Sequence, residues 1–397
     1  MTCLDFAERE KIQGLKNLNV PNSGNVPRLR FPEFSGEWVK VSLLEICERV
    51  TRKNKNNRSK LPLTISAQYG LVDQITFFNK VVASADMSNY YLLKKGEFAY
   101  NKSYSSDYPW GAIKRLDRYD EGALSSLYIC FNIRKCTDSD FAVQYFESPK
   151  WYREVSNIAG EGARNHGLLN IAVGDFFNTK HYLPSSIDEQ KKIAKLLLLL
   201  DQRIATQNKI IQQLQSLIKG IRVNLFSFDN YSIKYLGELC SITTGKLDAN
   251  AMVVNGKYPF FTCAEETFRI DEYAFDTEAL LISGNGANLG YIHYYNGKFN
   301  AYQRTYVLDK FAIDVMYIKY YLETFLNKRI NQEVNVGNTP YIVLSTLTKM
   351  RIKIPDILIQ QRIVTTIKSL KEKLLNEKLA LIKYEEQKKF LLSNMFI

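Results

Sequence analysis

The residues with the clearest chemical potential are cations, amides and hydroxyls grouped in a few short stretches. Between Arg49 and Lys60 every charged residue is basic, and asparagines lie among them. The stretch 100–115 combines amide, hydroxyl, aromatic and cationic groups, and comparable groups recur at 243–246, in the glycine-rich 283–292 and at 301–306. Lys and Arg bind phosphates or guanine edges, and Asn and Gln read adenine, so this chemistry predicts DNA contacts.

The individual candidates are polar or cationic residues in loop-like contexts, and a solvated surface loop is the competing interpretation for each. The candidates for DNA contact are Arg52, Lys53, Lys55, Asn101, Lys102, Ser103, Tyr104, Lys114, Arg115, Thr244, Lys246, Asn285, Asn288, Gln303 and Arg304.

Catalytic and metal-binding motifs are absent from the sequence. It has no phosphate-binding P-loop, no HExxH, no GxSxG and no Asn-Pro-Pro-aromatic motif of DNA amino-methyltransferases. The 3 histidines have no ligand spacing, and the 6 cysteines form no CxxC pair. The glycine-rich 283–292 lacks GxGxxG spacing, which favours a turn over a dinucleotide site. We therefore predict a chain that catalyses nothing by itself and holds no metal or cofactor.

Composition sets wider bounds. A length of 397 residues with 46% hydrophobic residues predicts two or three packing units. The net charge of +12 fits a nucleic-acid partner, although a basic charge alone is weak evidence. The first residues lack the apolar segment of a signal peptide, and no apolar run approaches the ~20 residues that span a bilayer. We expect a cytoplasmic protein.

An internal repeat organises the chain. The segment 41–51 (VSLLEICERVT) matches 234–244 (KYLGELCSITT), and each copy opens an aromatic-rich region. Further on, 182–193 (YLPSSIDEQKKI) matches 353–364 (KIPDILIQQRIV), with Gln190 aligned to Gln361. Each of these copies opens a long helix. The region between the two motifs is longer in the first copy than in the second.

Both predicted helices carry a coiled-coil seam, because apolar residues recur at alternating steps of four and three. Gln207 and Glu377 interrupt the two seams at the same step. Pairing of the two helices within one chain is the favoured arrangement, and a dimer between chains is the alternative. The candidate seam and subunit-interface residues are Ile193, Leu197, Leu200, Ile204, Ile211, Leu214, Ile218, Ile363, Ile367, Leu370, Leu374 and Leu381.

The globular regions predict an α+β fold class. Short strands are expected at 96–101, 127–133, 279–283 and 305–308, because these runs are aromatic or β-branched and are bounded by turn residues. Helices are expected at 141–148 and 315–329. The expected architecture is two tandem mixed α/β regions and two long antiparallel coiled-coil helices, arranged as a pseudo-twofold repeat.

With the repeat and both seams in view, the chain resembles the specificity subunits of type I restriction–modification systems beyond its first two dozen residues. The resemblance rests on 26–38 (VPRLRFPEFSGEW), on the motif at 40–48, on 184–217 with DEQKKIAKLL, and on their weaker second copies. The second copy lacks an acid corresponding to Glu189.

This resemblance implies a chain without its own catalysis that reads a split sequence in double-stranded DNA. The helices would set the gap and bind two modification subunits, which carry the adenine methyltransferase and its S-adenosylmethionine. Restriction subunits that use ATP and Mg would join the complex, and a membrane would play no part. The expected domains are an extension at 1–25, target-recognition domains at 26–185 and 229–355, and helices at 186–228 and 356–397.

Two other interpretations remain open from the sequence. A coiled-coil adaptor could join two partner-binding domains without touching DNA. A fused restriction enzyme would need an active site for which no motif is present.

Overall fold

The computed structural model describes residues 16–17, 24–105, 108–159, 167–333 and 341–397. Of the expected extension 1–25, only 16–17 and 24–25 are among them. The chain divides into two compact units: unit 1 comprises residues 1–207 and 380–397, and unit 2 comprises 208–379. Each unit therefore contains one globular region and a part of each long helix.

The first globular region is made of short strands and helices. In chain order these are β1 (Lys16–Asn17), β2 (Leu29–Arg30), β3 (Val39–Ser42), α1 (Leu43–Ile46), β4 (Cys47–Arg49), β5 (Pro62–Ser66), β6 (Gly70–Asp73), α2 (Gln74–Phe78), β7 (Tyr91–Lys94), β8 (Phe98–Asn101), β9 (Ala112–Arg115), β10 (Glu121–Leu124), β11 (Ile129–Ile133), α3 (Ser139–Glu147), α4 (Tyr152–Ile158), α5 (Val173–Asn178) and β12 (Lys180–Leu183).

The long helix α6 spans Ile187–Leu225, and the second globular region follows it. Its elements are β13 (Ser232–Tyr235), α7 (Leu236–Leu239), β14 (Ser241–Thr244), β15 (Tyr258–Phe261), β16 (Phe268–Ile270), β17 (Phe275–Ser283), β18 (Ile292–Ala301), β19 (Thr305–Asp309), α8 (Val315–Glu333), α9 (Leu344–Thr348) and β20 (Arg351–Ile354), and the helix α10 spans Ile357–Asn394.

The two regions share one strand order. The second has a six-stranded sheet in the order β14-β19-β17-β18-β15-β16, in which β15 and β18 are parallel. The first has two four-stranded sheets, β4-β11-β8-β9 and β6-β5-β10-β7, in which β5 and β10 are parallel. The two orders coincide if β7 and β8 together correspond to the single strand β17, and if β9 and β10 together correspond to β18. The long hairpin of the second region is thus interrupted in the first.

The repeated motif at the start of each region folds in the same way twice. It forms a strand, one helical turn and a second strand, namely β3-α1-β4 and β13-α7-β14. The carboxylate of Glu45 accepts a hydrogen bond from the backbone N–H of Ser42 at 2.6 Å, and that of Glu238 accepts one from Tyr235 at 2.6 Å. Each carboxylate thereby satisfies a backbone donor at the helix start.

The strand before each long helix pairs with the first strand of this motif. β12 pairs antiparallel with β3, and β20 pairs antiparallel with β13. At the helix starts the Gln190 side chain donates to the Pro184 carbonyl at 2.8 Å, and Gln360 donates to the Pro355 carbonyl at 2.9 Å. The alignment of Gln190 with Gln361 is therefore corrected by one residue, since Gln360 is buried and Gln361 is exposed.

The two helices have 39 and 38 residues, or about 58 Å at ~1.5 Å per residue. In unit 1 they pack against each other, because Ile193 and Leu197 share one buried cluster with Leu391 and Met395. The start of α6 thus meets the end of α10, so the helices run antiparallel there. Pairing within one chain is the arrangement that the structure has.

The seam residues line these helices on their inner side. Buried are Ile193, Leu197, Leu200, Ile211, Leu214, Ile218, Ile363 and Ile367, and half-buried are Ile204, Leu370, Leu374 and Leu381.

The predicted α+β class is confirmed, and the four expected strands and two expected helices all lie on observed elements. The glycine-rich stretch 283–292 connects β17 to β18 as a turn, as expected. No helix within the described residues is long and apolar enough to cross a membrane.

Candidate nucleic-acid interface

Four loops of the second region meet at one edge of its sheet. Strand pairing places the end of β14 beside the start of β19, with Thr244 opposite Tyr306, and the end of β17 beside the same start, with Ser283 opposite Thr305. The turn 284–291 and the turn 302–304 therefore lie next to the loop 245–247. The hairpin tip 262–266, between β15 and β16, is the fourth member. We call these loops the second loop set.

Hydrogen bonds hold the second loop set together. The Gly284 N–H donates to the Arg304 carbonyl at 2.9 Å, and the Gln303 N–H donates to the Leu247 carbonyl at 2.9 Å. The Asn288 amide donates to the Cys263 carbonyl at 3.2 Å. Since each bond joins two different loops, the set is a built surface rather than four independent turns.

Two glycines permit the close approach of these loops. A Cβ at Gly245 would lie 1.9 Å from the Ala301 carbonyl oxygen, and one at Gly284 would lie 2.4 Å from that of Arg304. Because both obstacles are backbone atoms, no side-chain rotation relieves the clash. Glycine is required at both positions because a Cβ atom would clash with the neighbouring backbone, and not because of a positive φ.

The second loop set presents the polar groups that the sequence singled out there. Thr244, Lys246, Gln303 and Arg304 are exposed, while Asn285 and Asn288 are half-buried. The Asn288 amide is engaged with Cys263, so Gln303 and Arg304 offer the freer donors. An amide beside a guanidinium can form bidentate bonds to adenine and guanine edges in a major groove.

Two titratable side chains, His293 and Tyr306, lie behind this set. The Nε2–H of His293 donates to the Ala264 carbonyl at 2.9 Å, and partial burial lowers the pKa of this histidine. Burial raises the pKa of Tyr306, whose hydroxyl donates to the Ile342 carbonyl at 2.8 Å. Positive charge on this edge thus comes from Lys246 and Arg304.

The corresponding edge of the first region follows from the shared strand order. Arg49 at the end of β4 lies opposite Phe131, and Tyr100 near the end of β8 lies opposite Ile129 at the start of β11. The loops at this edge are 50–55, 67–69, 102–111 and 125–128, which we call the first loop set. Residues 106–107 are outside the described residues.

Asn101, Lys102, Ser103 and Tyr104 form the first part of the loop after β8. The Asn101 side-chain oxygen accepts from the Ser103 N–H at 3.0 Å, and the Tyr104 N–H donates to the Gly167 carbonyl at 3.1 Å. Lys102 reaches the Ile171 carbonyl at 3.5 Å. These bonds fix the loop, and they leave the Tyr104 ring 40% exposed at its surface.

The three basic candidates after β4 differ in whether their side chains already contact other protein groups. Arg52 contacts both carboxylate oxygens of Glu97 at 2.7 Å. Lys53 donates to the Asn89 carbonyl at 2.8 Å and lies 4.2 Å from the centre of the Tyr91 ring. Lys55 is exposed at a 3₁₀ turn. Lys55 is therefore the most available phosphate contact of the three.

Lys114 and Arg115 lie further along β9, and the structure ties them to α3. Lys114 forms an ion pair with Glu147, and Arg115 contacts Asp140 at 2.8 Å and Asp117 at 2.7 Å. Both cations are largely buried. Their role differs from that expected of Asn101–Tyr104, because their charges already hold α3 against the sheet.

Sequence reasoning missed two members of the first loop set. Residues 125–128 occupy the place that 302–304 occupy in the second region, and Leu127 is 66% exposed. Tyr69 lies at the β5–β6 tip and is 58% exposed, and the hydroxyl of Tyr128 lies 3.3 Å from that of Thr64 on β5, the strand that leads into this tip. Serines and an exposed leucine carry no charge signal, so only the strand order could identify them.

The long helices offer a second type of surface. Outside the seam, α6 exposes Leu198, Leu199 and Leu217, and α10 exposes Leu375, Leu379 and Ile382. Exposed aliphatic residues in rows along a helix are typical of contacts with partner helices. Among the described residues no group of three or more His, Cys, Asp or Glu is placed to hold a metal ion.

Comparison with known proteins agrees with this geometry. Residues 229–384 match the family described as Type I restriction modification DNA specificity domain. Over 121 residues the chain is 44% identical to the Type I restriction enzyme EcoDI specificity subunit of Escherichia coli. That stretch is 30% of this chain and 27% of the relative, so the match spans about a quarter of the curated relative's length.

Two solved structures share the fold over nearly the whole chain. The Type-I restriction-modification system S subunit from M. genitalium has a TM-score of 0.57 at 18% identity, covering 94% of this chain and 99% of its own. A chain from a study of complex assembly and conformational transition of the type I R-M system has a TM-score of 0.61 at 16% identity, covering 91% and 97%. At such identities the likeness concerns the fold alone.

Proposed function

We propose that the chain is a specificity subunit of a type I restriction–modification system, as the family match at 229–384 and the 44% identity over 121 residues support, and that it selects the DNA sequence for such a complex by reading a double-stranded target in two separate parts. One observation carries the proposal. Two regions with the same strand order present loop sets at the same sheet edge, and the loop side chains differ between them. A common scaffold with different loops is suited to reading two different half-sequences.

The residues proposed to contact DNA are polar and exposed members of both loop sets. In the second set these are Thr244, Lys246, Gln303 and Arg304, with Asn285 close by. In the first set they are Lys55, Asn101–Tyr104 and residues 125–128. Arg52, Lys53, Lys114 and Arg115 have protein partners, so a DNA role for them requires exchange of those contacts.

The proposed domains are two target-recognition domains, 26–185 and 229–355, and two helical segments, 186–228 and 356–397. We propose that the uninterrupted helices set the spacing between the two half-sequences. Their exposed leucines would dock helices of two modification subunits, which carry the adenine methyltransferase and its S-adenosylmethionine. Restriction subunits with ATP and Mg would join that complex. The chain itself would perform no catalysis and would act away from membranes.

The decisive experiment is to express this chain with the modification subunit of its own system and to map methylated adenines in host DNA by single-molecule sequencing. The expected result is a split motif with a fixed spacer that disappears when this chain is omitted. An active partner complex without any new motif would instead favour the adaptor that joins two partners without reading DNA.

A domain exchange tests the two-reader arrangement. Replacing 229–355 with the corresponding segment of another specificity subunit should change one half-sequence and leave the other half unchanged. A change in both halves would contradict independent reading.

Removal of one heptad from each long helix tests the role of the helices as a spacer. The expected motif keeps both half-sequences and has a shorter gap, because ~7 residues shorten a helix by ~10 Å, or about three base pairs. An unchanged gap with both halves still read would contradict the idea. A control that exchanges a heptad for another of equal length should keep the original spacing.

A further inference from the structure

Unit 1 contains a basic cavity away from the first loop set. Its volume is about 470 Å³, and it is bounded by 24–28, by the end of α3 with the start of α4, by β12 and by 396–397. β12 pairs with β3, which precedes β4, whereas the loop set lies beyond the far end of β4. The cavity is therefore not part of the proposed DNA-reading edge.

The charge of its walls is unbalanced. Arg28, Lys150, Arg153 and Lys180 line the cavity, with Glu154 as the one lining acid among the described side chains. Of these four, Arg28, Arg153 and Lys180 are exposed and Lys150 is half-buried. The less exposed cations Arg30 and Arg115 of the same unit pair with Glu189 and Asp140. The four cavity cations, in contrast, share a single lining acid.

These cations make few compensating contacts. Arg28, Lys150 and Arg153 have no side-chain hydrogen bond or ion pair to another described residue. Lys180 is 3.8 Å from Glu45, whose carboxylate already accepts from Ser42 at 2.6 Å. Partial burial, followed by the charge of Arg28, lowers the pKa of Lys150. Like charges thus line one concave surface, an arrangement that a bound anion relieves.

The remaining walls are neutral. The Tyr145 hydroxyl and the Nδ1 of His181 are hydrogen-bonded at 2.8 Å, and burial lowers the pKa of His181 to about 3. The histidine therefore carries no charge at neutral pH. Tyr182 and Phe396 contribute aromatic surface. A site of this volume with cations on several sides and aromatic walls can hold more than a single phosphate.

We propose that this cavity binds a small phosphate-bearing polyanion, of the chemistry of a nucleoside triphosphate or an inorganic polyphosphate. Arginine guanidinium groups bind phosphate oxygens in pairs, and ammonium groups add point charges. Arg28 and Lys150 are taken as the central ligands, because both line the cavity and neither has a side-chain hydrogen bond or ion pair to another described residue. The proposal does not depend on DNA reading by this chain.

The test is calorimetric titration of the full-length chain with ATP, pyrophosphate and AMP. ATP or pyrophosphate should bind, AMP should bind more weakly, and affinity should fall with added salt. Arg28→Gln and Lys150→Gln should each lower the affinity about tenfold, on the scale of one charge-assisted hydrogen bond. The matched control is Lys209→Gln, which removes an exposed lysine of α6 and should change nothing.

Thermal unfolding provides a second measurement that needs no variant. Pyrophosphate should raise the Tm of the wild-type chain, whereas sodium chloride at equal ionic strength should not. The proposal is wrong if no probe binds, or if the Lys209 control loses affinity to the same extent. Displacement of ATP by a random DNA duplex, with weaker duplex binding in both cavity variants, would also overturn it and would assign the cavity to the DNA backbone.

Discussion

The two globular regions share a strand order but differ in how they complete it. In the second region the long hairpin β17–β18 is continuous, whereas in the first the turns after β7 and β9 interrupt it and a segment, 74–90, separates β6 from β7. The first region also has a preceding segment, 24–38, that packs on the start of α6. Conserved strand order with local additions indicates that the sheet is the scaffold and that the additions carry the differences.

The preceding segment explains a difference between the two helix starts. Glu189 is 2% exposed, and its carboxylate accepts from Arg30 at 2.7 and 2.8 Å and from the Trp38 indole at 3.2 Å. Arg30 and Trp38 belong to the segment that the second region lacks. The second helix therefore has no need of an acid at this position.

The largest predicted effect breaks this contact in the first region. Glu189→Gln leaves the charge of Arg30 buried without its carboxylate partner, which should lower the free energy of unfolding by about 3–5 kcal/mol. All 3 tryptophans, Trp38, Trp110 and Trp151, lie in the first region, so their fluorescence during urea denaturation follows that region. Asp188→Asn, an exposed neighbour, is the control and should cost less than about 0.5 kcal/mol. Equal effects of the two variants would refute the assignment.

A second prediction concerns pH. His181 lies on β12 where β20 has Ile352, and burial lowers its pKa from 6.5 to about 3. The unfolded chain binds a proton near pH 6.5 and the folded first region does not. The stability contribution is therefore complete above that pH and falls by about 1.4 kcal/mol per pH unit as the pH drops towards 3.

The measurement for this prediction is tryptophan-monitored unfolding between pH 7 and 4. His181→Gln should be less stable at pH 7, because His181 bonds Tyr145 and Thr179, yet its stability should depend less on pH than that of the wild type. A wild-type curve that is flat over this range would refute the buried neutral histidine. In the second region Ile352 does not titrate, so a histidine-linked contribution there can come only from His293, whose pKa partial burial also lowers.

The sequence alone was sufficient to predict helices and strands, but it was insufficient to predict the contacts between them. The repeat and the apolar spacing predicted both long helices. β8 and β11 lie within the expected runs, whereas β17 and β19 contain theirs and extend beyond them. Strand order could not be predicted, because it depends on pairings such as β5 with β10 that are distant in the chain. For that reason 125–128 was missed. The ion pairs of Lys114 and Arg115 were also beyond a sequence pattern, since Glu147 and Asp140 are on a separate helix.

A third prediction tests the loop sets directly. Gln303→Ala and Arg304→Ala should each reduce discrimination at one base pair of one half-sequence by about 1–3 kcal/mol, because a bidentate contact is lost. The measurement is competitive DNA binding against targets substituted in either half. Lys298→Ala, an exposed lysine of β18 outside the loop set, is the charge-matched control. A loss spread equally over both halves would contradict separate reading.

The smallest predicted effect distinguishes Lys246 from Arg52, which follow the equivalent strands β14 and β4. Lys246 is exposed after β14, whereas Arg52 after β4 is held by Glu97, which also accepts from the Lys94 N–H at 2.8 Å where the hairpin of the first region is interrupted. Lys246→Ala should therefore weaken DNA binding uniformly across sequences and reduce the slope of log K against log salt by about 0.9, with stability unchanged. Arg52→Ala should instead lower the unfolding free energy by up to about 1 kcal/mol, because its ion pair is partly exposed. If Arg52→Ala alone changed the salt slope, the basic residue of the first region would be the phosphate contact, and its pairing with Glu97 would have to open on DNA.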